Sequence, residues 1–121
     1  MRVLIADDAR FMRSIVGKIV ESTGCKIVGE AENGAEAVEK YIELQPDLVI
    51  MDVIMPEKTG IEALVEMKAI NKDAKVVICS AMGQPHFINE ATKNGAMDFL
   101  VKPVSPDDVI GVLKRLGALE H

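Results

Sequence analysis

The chain has 121 residues, of which 49% are hydrophobic, so it can build one compact domain with a core, which argues against global disorder. Its formal net charge of −5 argues against broad contact with nucleic acid or an anionic membrane surface. The sequence contains no signal-peptide core, no run that could span a bilayer and no paired-cysteine motif, and we therefore expect a cytoplasmic protein.

Five short apolar runs recur along the chain and predict β-strands. Most of them are apolar at consecutive positions, as is typical of strands that are buried on both faces of a parallel sheet. In chain order the predicted strands are residues 3–6, 27–29, 48–51, 76–79 and 99–101.

Segments with helical spacing lie between these runs and after the last one. In four of these five segments, apolar residues recur every three or four positions and so share one face. Start signals support three of these helices, because Asn33 with Glu36 and Thr59 with Glu62 have capping-box-like spacing and Ser105 precedes a proline. The predicted faces are Met12, Ile15, Val16 and Ile19; Ala35, Val38 and Ile42; Ile61, Leu64, Val65 and, at the edge, Lys68; and Val109, Val112, Leu113 and Leu116.

This alternation of strands and helices predicts an α/β fold with one parallel sheet that is covered on both faces. Ligands of such sheets bind at the carboxyl ends of the strands, so functional side chains should directly follow the apolar runs. We expect a single domain in residues 1–118, whereas residues 119–121 look like the start of an affinity tag.

Polar side chains follow four of the five predicted strands. Asp7 and Asp8 follow the first strand, and Asp52 follows the third. Ser80 follows the fourth strand and Lys102 the fifth. Three carboxylates at one edge repel each other unless a cation neutralises them, and a hard divalent ion such as Mg²⁺ prefers such oxygen ligands. Because a lysine and a hydroxyl suit an anion with several oxygens, the set predicts phosphoryl transfer to an aspartate.

Each of these residues also has an ordinary structural interpretation. Asp7 or Asp8 could cap a helix, and Lys102 could be a solvated surface charge. Ser80 could be a turn residue. Asp52 is harder to explain in this way, because it follows a buried strand, where an unpaired carboxylate is costly. The recurrence of all these groups at one edge favours the functional interpretation.

With these residues the chain resembles response-regulator receiver domains, and among them the CheY family of single-domain chemotaxis regulators. The resemblance covers essentially the whole chain in order and spacing. It implies a flavodoxin-like, doubly wound sheet of five parallel strands in the order 2-1-3-4-5, with helices on both faces. The motifs that carry it are Asp7-Asp8, residues 51–56 with Gly60, Ser80-Ala81 and Lys102-Pro103.

The resemblance also implies a metal and phosphoacceptor role for the acidic residues. Asp52 would be the phosphoacceptor. Asp8 would bind Mg²⁺, or Mn²⁺ in its place, directly, and Asp7 would hold the ion through water. The Asp52 carboxylate and the backbone carbonyl of Ile54 would complete the protein ligands, and Lys102 would contact the acyl phosphate.

The remaining family positions imply a conformational switch. Ser80 would move toward the phosphoryl group and donate a hydrogen bond to it, with the Ala81 amide also contributing. Phe99 would be the aromatic switch residue. A cis peptide bond between Lys102 and Pro103 would aim the lysine inward.

Three positions depart from the pattern that is common in the family. Phe99 stands where tyrosine is common, so we expect it to act by packing without a hydroxyl contact. Ile54 and Met82 are apolar at the positions two residues after Asp52 and Ser80, where many relatives have a polar side chain. Since neither side chain can orient an attacking water, slow self-dephosphorylation is predicted.

The implied partners are a CheA-type histidine kinase, a flagellar or archaellar motor switch or adaptor protein, and a phosphatase. The face that docks partners in the family has little positive charge here, because residues 84–90 are weakly charged and the fifth helix opens with Asp107-Asp108. A motor adaptor as the partner is therefore compatible with this weakly basic face. Phe87 and Ile88 could form an apolar docking patch beside Phe99 or belong to the core. We expect a monomer that binds neither nucleic acid nor membrane.

Three other functions are alternatives to that of a chemotaxis regulator. A receiver of another relay, such as sporulation or stress, would share the chemistry and differ only in its partners. A degenerate receiver that serves as a scaffold is disfavoured, because every phosphorylation residue is present. An aspartate-nucleophile phosphatase of the haloacid dehalogenase type needs a second acid two residues after the nucleophile, where this chain has Ile54. The expected function is therefore a signalling phosphoacceptor and not an enzyme with a separate substrate.

Overall fold

Five strands alternate with five helices along residues 1–81 and 84–117, the part of the chain that the computed structural model describes. Met82 and the predicted tag at 119–121 lie outside these residues. Every predicted strand is present and extends by at least one residue, and none of these helices is long and apolar enough to cross a membrane. The strands are β1 (Arg2–Ala6), β2 (Lys26–Ala31), β3 (Leu48–Asp52), β4 (Val76–Ala81) and β5 (Asp98–Lys102). The helices are α1 (Arg10–Ser22), α2 (Gly34–Leu44), α3 (Gly60–Ile70), α4 (Pro85–Lys93) and α5 (Pro106–Arg115).

The strands form one parallel sheet in the order β2-β1-β3-β4-β5. The register places Asp52 at the end of β3 beside Cys79 of β4, and Ala81 at the end of β4 beside Lys102 of β5. Strand order reverses between β1 and β3, and ligands of open parallel sheets bind beside such a switch point. The predicted flavodoxin-like order is therefore confirmed, and it brings the polar strand ends to one edge.

Two apolar clusters cover the two faces of the sheet. One cluster packs α2, α3 and α4 against the strands through residues such as Tyr41, Leu64 and Ala91. The other packs α1 and α5 through residues such as Val16 and Leu113. The central strand β3 is buried at all five positions, which explains why its sequence is apolar without alternation. Helices on both faces are thus confirmed.

Two of the predicted helix faces are wrong in part. In α2 the buried residues include Ala37 and Tyr41, whereas Ile42 is 56% exposed. In α3 the buried face includes Met67, whereas Val65 is 47% exposed. The prediction selected apolar residues by their helical spacing alone. In the fold, an alanine permits close helix packing, and the ends of a tyrosine or methionine side chain reach further into the core.

Helix starts form where the sequence supplies capping residues. The Thr59 hydroxyl accepts a hydrogen bond from the Glu62 amide at 3.2 Å, and the Glu62 carboxylate accepts one from the Thr59 amide at 3.1 Å. Ser105 likewise accepts from the Asp108 amide at 3.2 Å. Helix α1 differs, because its first flanking residue is Ala9 and no side chain caps it. The first amides of α1 are therefore not satisfied by a capping side chain.

Candidate functional site

Three carboxylates gather at the carboxyl-terminal edge of the sheet. Asp7 and Asp8 follow β1, and Asp52 is the last residue of the neighbouring strand β3. One carboxylate oxygen from each residue lies within 4.8 Å of the other two. Asp7 and Asp52 are buried, whereas Asp8 is exposed, so the cluster opens to solvent on the Asp8 side. The structure brings together the three acids that the sequence analysis placed at this edge.

The ammonium group of Lys102 bridges the two buried carboxylates. Its Nζ donates a hydrogen bond to Asp52 Oδ2 at 2.9 Å and another to Asp7 Oδ2 at 3.0 Å. Since β4 separates β5 from β3, the lysine reaches past one strand to make these contacts. Together with Asp8, the three carboxylates and one ammonium carry a formal net charge of −2 when all are ionised. One lysine therefore neutralises the cluster only in part.

The electrostatics of the site favour an additional cation. Burial raises the pKa of the Asp52 carboxyl, the charge of Asp7 adds to the rise, and the contact with Lys102 offsets it in part. Burial would lower the pKa of Lys102, but its hydrogen bonds to Asp52 and Asp7 and their charges raise it overall. Lys102 therefore remains charged, and the ionised form of Asp52 is not fully compensated.

The Asp7 side chain also shapes the loop in which it lies. Its Oδ1 accepts a hydrogen bond from the backbone amide of Ala9 at 2.9 Å, while Oδ2 faces Lys102. Its own amide donates to the carbonyl of Ala31 on β2 at 3.0 Å. The ordinary interpretation of Asp7 as a helix cap is therefore wrong, because Ala9 is the residue that flanks α1 and no side chain caps this helix. The Asp7 carboxylate holds the Ala9 amide in the loop and also belongs to the acidic cluster.

The loop after Asp52 is held by close backbone contacts. The amide of Val53 donates to the carbonyl of Cys79 at 3.1 Å, and the amide of Gly60 donates to the carbonyl of Val53 at 2.8 Å. A Cβ atom on Gly60 would lie 2.1 Å from the carbonyl oxygen of Asp52, so only glycine fits there. The amide of Ile54 lies 3.4 Å from Asp52 Oδ1, and its side chain is 53% exposed. This loop fixes Asp52 from its backbone side.

The predicted switch residues differ in both position and exposure, because Ser80 lies near the end of β4 whereas Phe99 is the second residue of β5. Ser80 is only 1% exposed, and its hydroxyl donates to the carbonyl of Ala81 at a long 3.4 Å. Phe99 on β5 is 45% exposed. Phe87 is partly buried and packs against a core cluster, which argues against a fully exposed docking patch. The peptide bond between Lys102 and Pro103 is cis.

The donor set of the acidic cluster fits a hard divalent cation. Its ligand atoms are carboxylate oxygens from Asp7, Asp8 and Asp52, which Mg²⁺ prefers over nitrogen or sulfur donors. Two of these groups are buried and under-neutralised, and the third is open to solvent, so that an ion can enter. The site is therefore compatible with the binding of Mg²⁺.

One contact at this site was not anticipated from the sequence. The guanidinium of Arg13, on α1, donates a hydrogen bond to the backbone carbonyl of Asp7 at 2.7 Å. No spacing rule identifies an arginine that reaches back six residues to a loop carbonyl. The Arg13 side chain is only 12% exposed, although arginine side chains are mostly exposed in proteins.

Comparisons with known proteins agree with this geometry. Residues 3–114 match the family model described as the response regulator receiver domain. The chain is 51% identical to the chemotaxis protein CheY of Thermotoga maritima over 116 residues, which covers 96% of this chain and 97% of that protein. It is 50% identical to CheY of Bacillus subtilis over 114 residues, with 94% and 95% covered. A solved complex of CheX, CheY, BeF3 and Mg²⁺ from Borrelia burgdorferi is similar with a TM-score of 0.91, 33% identity, and 96% and 89% of the two chains covered.

Proposed function

Because the chain belongs to the family of response-regulator receiver domains, we propose that it is a CheY-like, stand-alone response regulator of chemotaxis. In this proposal residues 1–118 are the receiver, and a CheA-type histidine kinase transfers a phosphoryl group to Asp52 in a Mg²⁺-dependent reaction. The phosphorylated chain then binds a flagellar or archaellar motor switch or an adaptor protein in the cytoplasm. The chain catalyses only its own phosphorylation and dephosphorylation.

The observation that carries the proposal is the arrangement around Asp52. A buried carboxylate at the mouth of a central strand has two further carboxylates within 4.8 Å and an ammonium group at 2.9 Å. Such a group is costly to keep unless it reacts or binds a cation. The three acids and Lys102 lie at one edge of the sheet, and the hydroxyl of Ser80 is at a neighbouring strand end. Phosphoryl transfer to an aspartate uses groups of these kinds.

The proposed transfer step uses a carboxylate oxygen of Asp52 as the nucleophile. A bond between this oxygen and phosphorus forms while the phosphorus–nitrogen bond of a phosphohistidine donor breaks, and the released imidazole regains a proton from solvent. Lys102 Nζ lies 2.9 Å from Asp52 and is therefore within reach of the phosphoryl oxygens that Asp52 acquires. A divalent cation held by Asp7, Asp8, Asp52 and the Ile54 carbonyl would, when bound, offset charge on the phosphoryl group.

The proposed switch couples the phosphoryl group to the exposed surface. The hydroxyl of Ser80 makes only a long hydrogen bond to Ala81, so it can exchange that contact for a phosphoryl oxygen at little cost. The Ala81 amide would add a second donor. Phe99 is half-exposed and can turn inward as Ser80 moves, which shifts the population toward a form with a different partner affinity. Because Phe99 has no hydroxyl, its effect on the partner would come from packing.

We expect the acyl phosphate on Asp52 to be long-lived, because the residue two positions after Asp52 has no polar side chain. Ile54 is exposed next to Asp52 but cannot donate or accept a hydrogen bond, so it cannot hold an attacking water in line. Slow self-dephosphorylation would leave the signal to be ended by a separate phosphatase. The same apolar residue argues against the alternative of a haloacid dehalogenase-type phosphatase, which needs an acid there.

A second candidate is a receiver of another phosphorelay. The observation that favours it is the acidic start of α5, where Asp107 and Asp108 are exposed on a face that docks partners in the family. Arg115 on the same helix already forms an ion pair with Asp98 on β5 at 2.7 Å. The positive charge of Arg115 therefore adds little to the charge of this face. A partner for such a face differs from one that reads a basic surface. Both candidates share the chemistry at Asp52.

The first prediction tests the phosphoacceptor. After incubation with Mg²⁺ and a small phosphodonor such as phosphoramidate, intact-mass measurement should show one added phosphoryl group. The variant Asp52→Asn should lose the adduct because its amide is not a nucleophile, and a chelator should prevent the adduct in the original chain. Asp73→Asn, a change at an exposed aspartate, is the matched control and should be phosphorylated normally. An unchanged adduct on Asp52→Asn would contradict the assignment.

The partner is tested separately with activated protein. Beryllofluoride-treated chain and the Asp52→Ala variant would each be mixed with purified motor-switch, motor-adaptor and phosphotransfer proteins from the source cell. Binding of a motor component only by the activated chain supports the chemotaxis role. Binding of a phosphotransfer protein without any motor component would favour the second candidate.

A further inference from the structure

Arg13 joins the acidic loop to the edge strand β2. Its Nη1 donates a hydrogen bond to the carbonyl oxygen of Asp7 at 2.7 Å, and its Nε donates to Glu30 Oε1 at 2.9 Å. The Arg13 side chain is 12% exposed, whereas that of Glu30 is 53% exposed. A long cationic side chain with so little exposure is held in place by its contacts and is not a solvated charge.

The contact from Arg13 is one of four hydrogen bonds that hold Asp7. The amide of Asp7 donates to Ala31, its Oδ1 accepts from Ala9, and its Oδ2 accepts from Lys102. A cation that binds the carboxylate competes with the Lys102 contact, whereas the Arg13 contact is made to the backbone and does not depend on the state of the carboxylate. Helix α1 has no side-chain cap, so the turn from Asp7 into the helix is supported locally by the Ala9 contact and not by a cap on the helix.

We propose that Arg13 is a positioning residue for divalent-cation binding. By holding the carbonyl of Asp7 against α1, it keeps the carboxylates of Asp7 and Asp8 within reach of Asp52. Glu30 fixes the other edge of the guanidinium, so that the planar group is set by two partners at once. The inference deepens the proposed function and rests on it, because the acidic cluster must bind a cation for Arg13 to position its ligands.

Charge and geometry make opposite predictions for this residue. A positive charge near the cluster repels a cation, so loss of the charge alone would strengthen cation binding. Loss of the positioning contact would instead weaken binding, because the loop must then be ordered when the ion binds. The substitution Arg13→Lys keeps the charge and removes the planar pair of donors, so it isolates the geometric effect.

The test is a titration of the full chain with Mn²⁺, followed by the electron paramagnetic resonance signal of the free ion. Arg13→Lys should bind Mn²⁺ about tenfold more weakly than the original chain. Arg10→Lys, the same change at an exposed position of the same helix, should leave the affinity unchanged. Thermal unfolding without metal is measured in parallel, because a purely structural role would change that temperature and not the affinity.

A second pair of variants tests the anchor without changing α1. Glu30→Gln weakens the contact to the guanidinium, and Glu32→Gln removes a carboxylate from a nearby exposed position with the same change in charge. The first variant should bind Mn²⁺ more weakly than the second. Because both residues are exposed, both variants should fold. If Arg13→Lys does not fold, the comparison of these two variants is by itself the test of the positioning role of Arg13.

Three results would overturn the inference, and the third is distinguishable from the first two. If the original chain binds Mn²⁺ and Arg13→Lys binds it equally well, or only unfolds at a lower temperature, Arg13 has no positioning role. The same conclusion follows if Glu30→Gln and Glu32→Gln bind Mn²⁺ alike while the original chain binds it. If the original chain binds no Mn²⁺, the proposed metal site fails and the inference fails with it.

Discussion

The two ends of the β-sheet have opposite compositions. Near their starts, the central strands carry apolar residues such as Val3 and Leu48, neither of which has any exposed surface. At the carboxyl end of the sheet, the structure buries polar or charged side chains. Among the described residues, the three buried polar or charged side chains, Asp7, Asp52 and Ser80, all lie at this end.

This difference shows how one sheet divides stability from reactivity. At the apolar end, burial of side chains against both helical layers stabilises the fold. At the polar end, burial of the carboxylates lowers the free energy of unfolding, and the ion pairs with Lys102 offset this loss only in part. A site of this kind is kept at the expense of stability, so changes at the two ends should have effects of different size and sign.

The largest effect is expected at the apolar end. Leu48→Ala should lower the free energy of unfolding by about 4 kcal/mol, because the side chain is fully buried and its loss leaves a cavity. Ile42→Ala, at a position that is 56% exposed, is the control and should change it by less than about 0.5 kcal/mol. Urea unfolding followed by circular dichroism measures both. Similar losses for the two variants would mean that burial does not set the stability of this end.

A smaller loss is expected where the polar end is packed backbone to backbone. Gly60→Ala should lower the free energy of unfolding by about 3 kcal/mol, because the new Cβ would lie 2.1 Å from the carbonyl oxygen of Asp52. It should also displace Asp52 and so slow its phosphorylation.

The matched control for this change is Gly111→Ala in α5. There the nearest atom to an added Cβ is Arg115 Nη1 at 3.5 Å, the end of a flexible side chain. An alanine in the middle of a helix should raise the free energy of unfolding by about 0.5–1 kcal/mol. If Gly60→Ala were as stable as Gly111→Ala, the loop after β3 would have room for an added Cβ. Tight backbone packing would then not distinguish the polar end of the sheet from the apolar end.

The fold could be predicted from the sequence because the strands are apolar at consecutive positions. This pattern indicates burial on both faces, and a parallel sheet with strand-end ligands follows from it. The gathering of Asp7, Asp8, Asp52 and Lys102 at one edge could be anticipated for the same reason, since each of them follows a predicted strand. The direct contacts from Lys102 to the carboxylates of Asp7 and Asp52 were not predicted.

Contacts that depend on side-chain reach could not be predicted in this way. Hydrophobicity ranks Ile42 above Tyr41, yet in α2 the tyrosine is buried, because helix packing and side-chain length decide which residue fills the core. The reach of Arg13 to the Asp7 carbonyl depends on a long flexible side chain whose direction no spacing rule describes. The exposure of Phe99 similarly follows from its place on the edge strand β5.

The smallest effect should have the opposite sign and lies at the centre of the site. In the presence of a chelator, Asp52→Asn should raise the free energy of unfolding by about 1 kcal/mol. The asparagine keeps the shape and an oxygen for Lys102, but it removes a buried charge and its repulsion with Asp7. Urea unfolding measures the change, and Asp73→Asn at an exposed position should stay within about 0.5 kcal/mol of the original chain. A loss of stability in Asp52→Asn would show that the ion pair with Lys102 outweighs the burial of the carboxylate, and the polar end would then stabilise the fold.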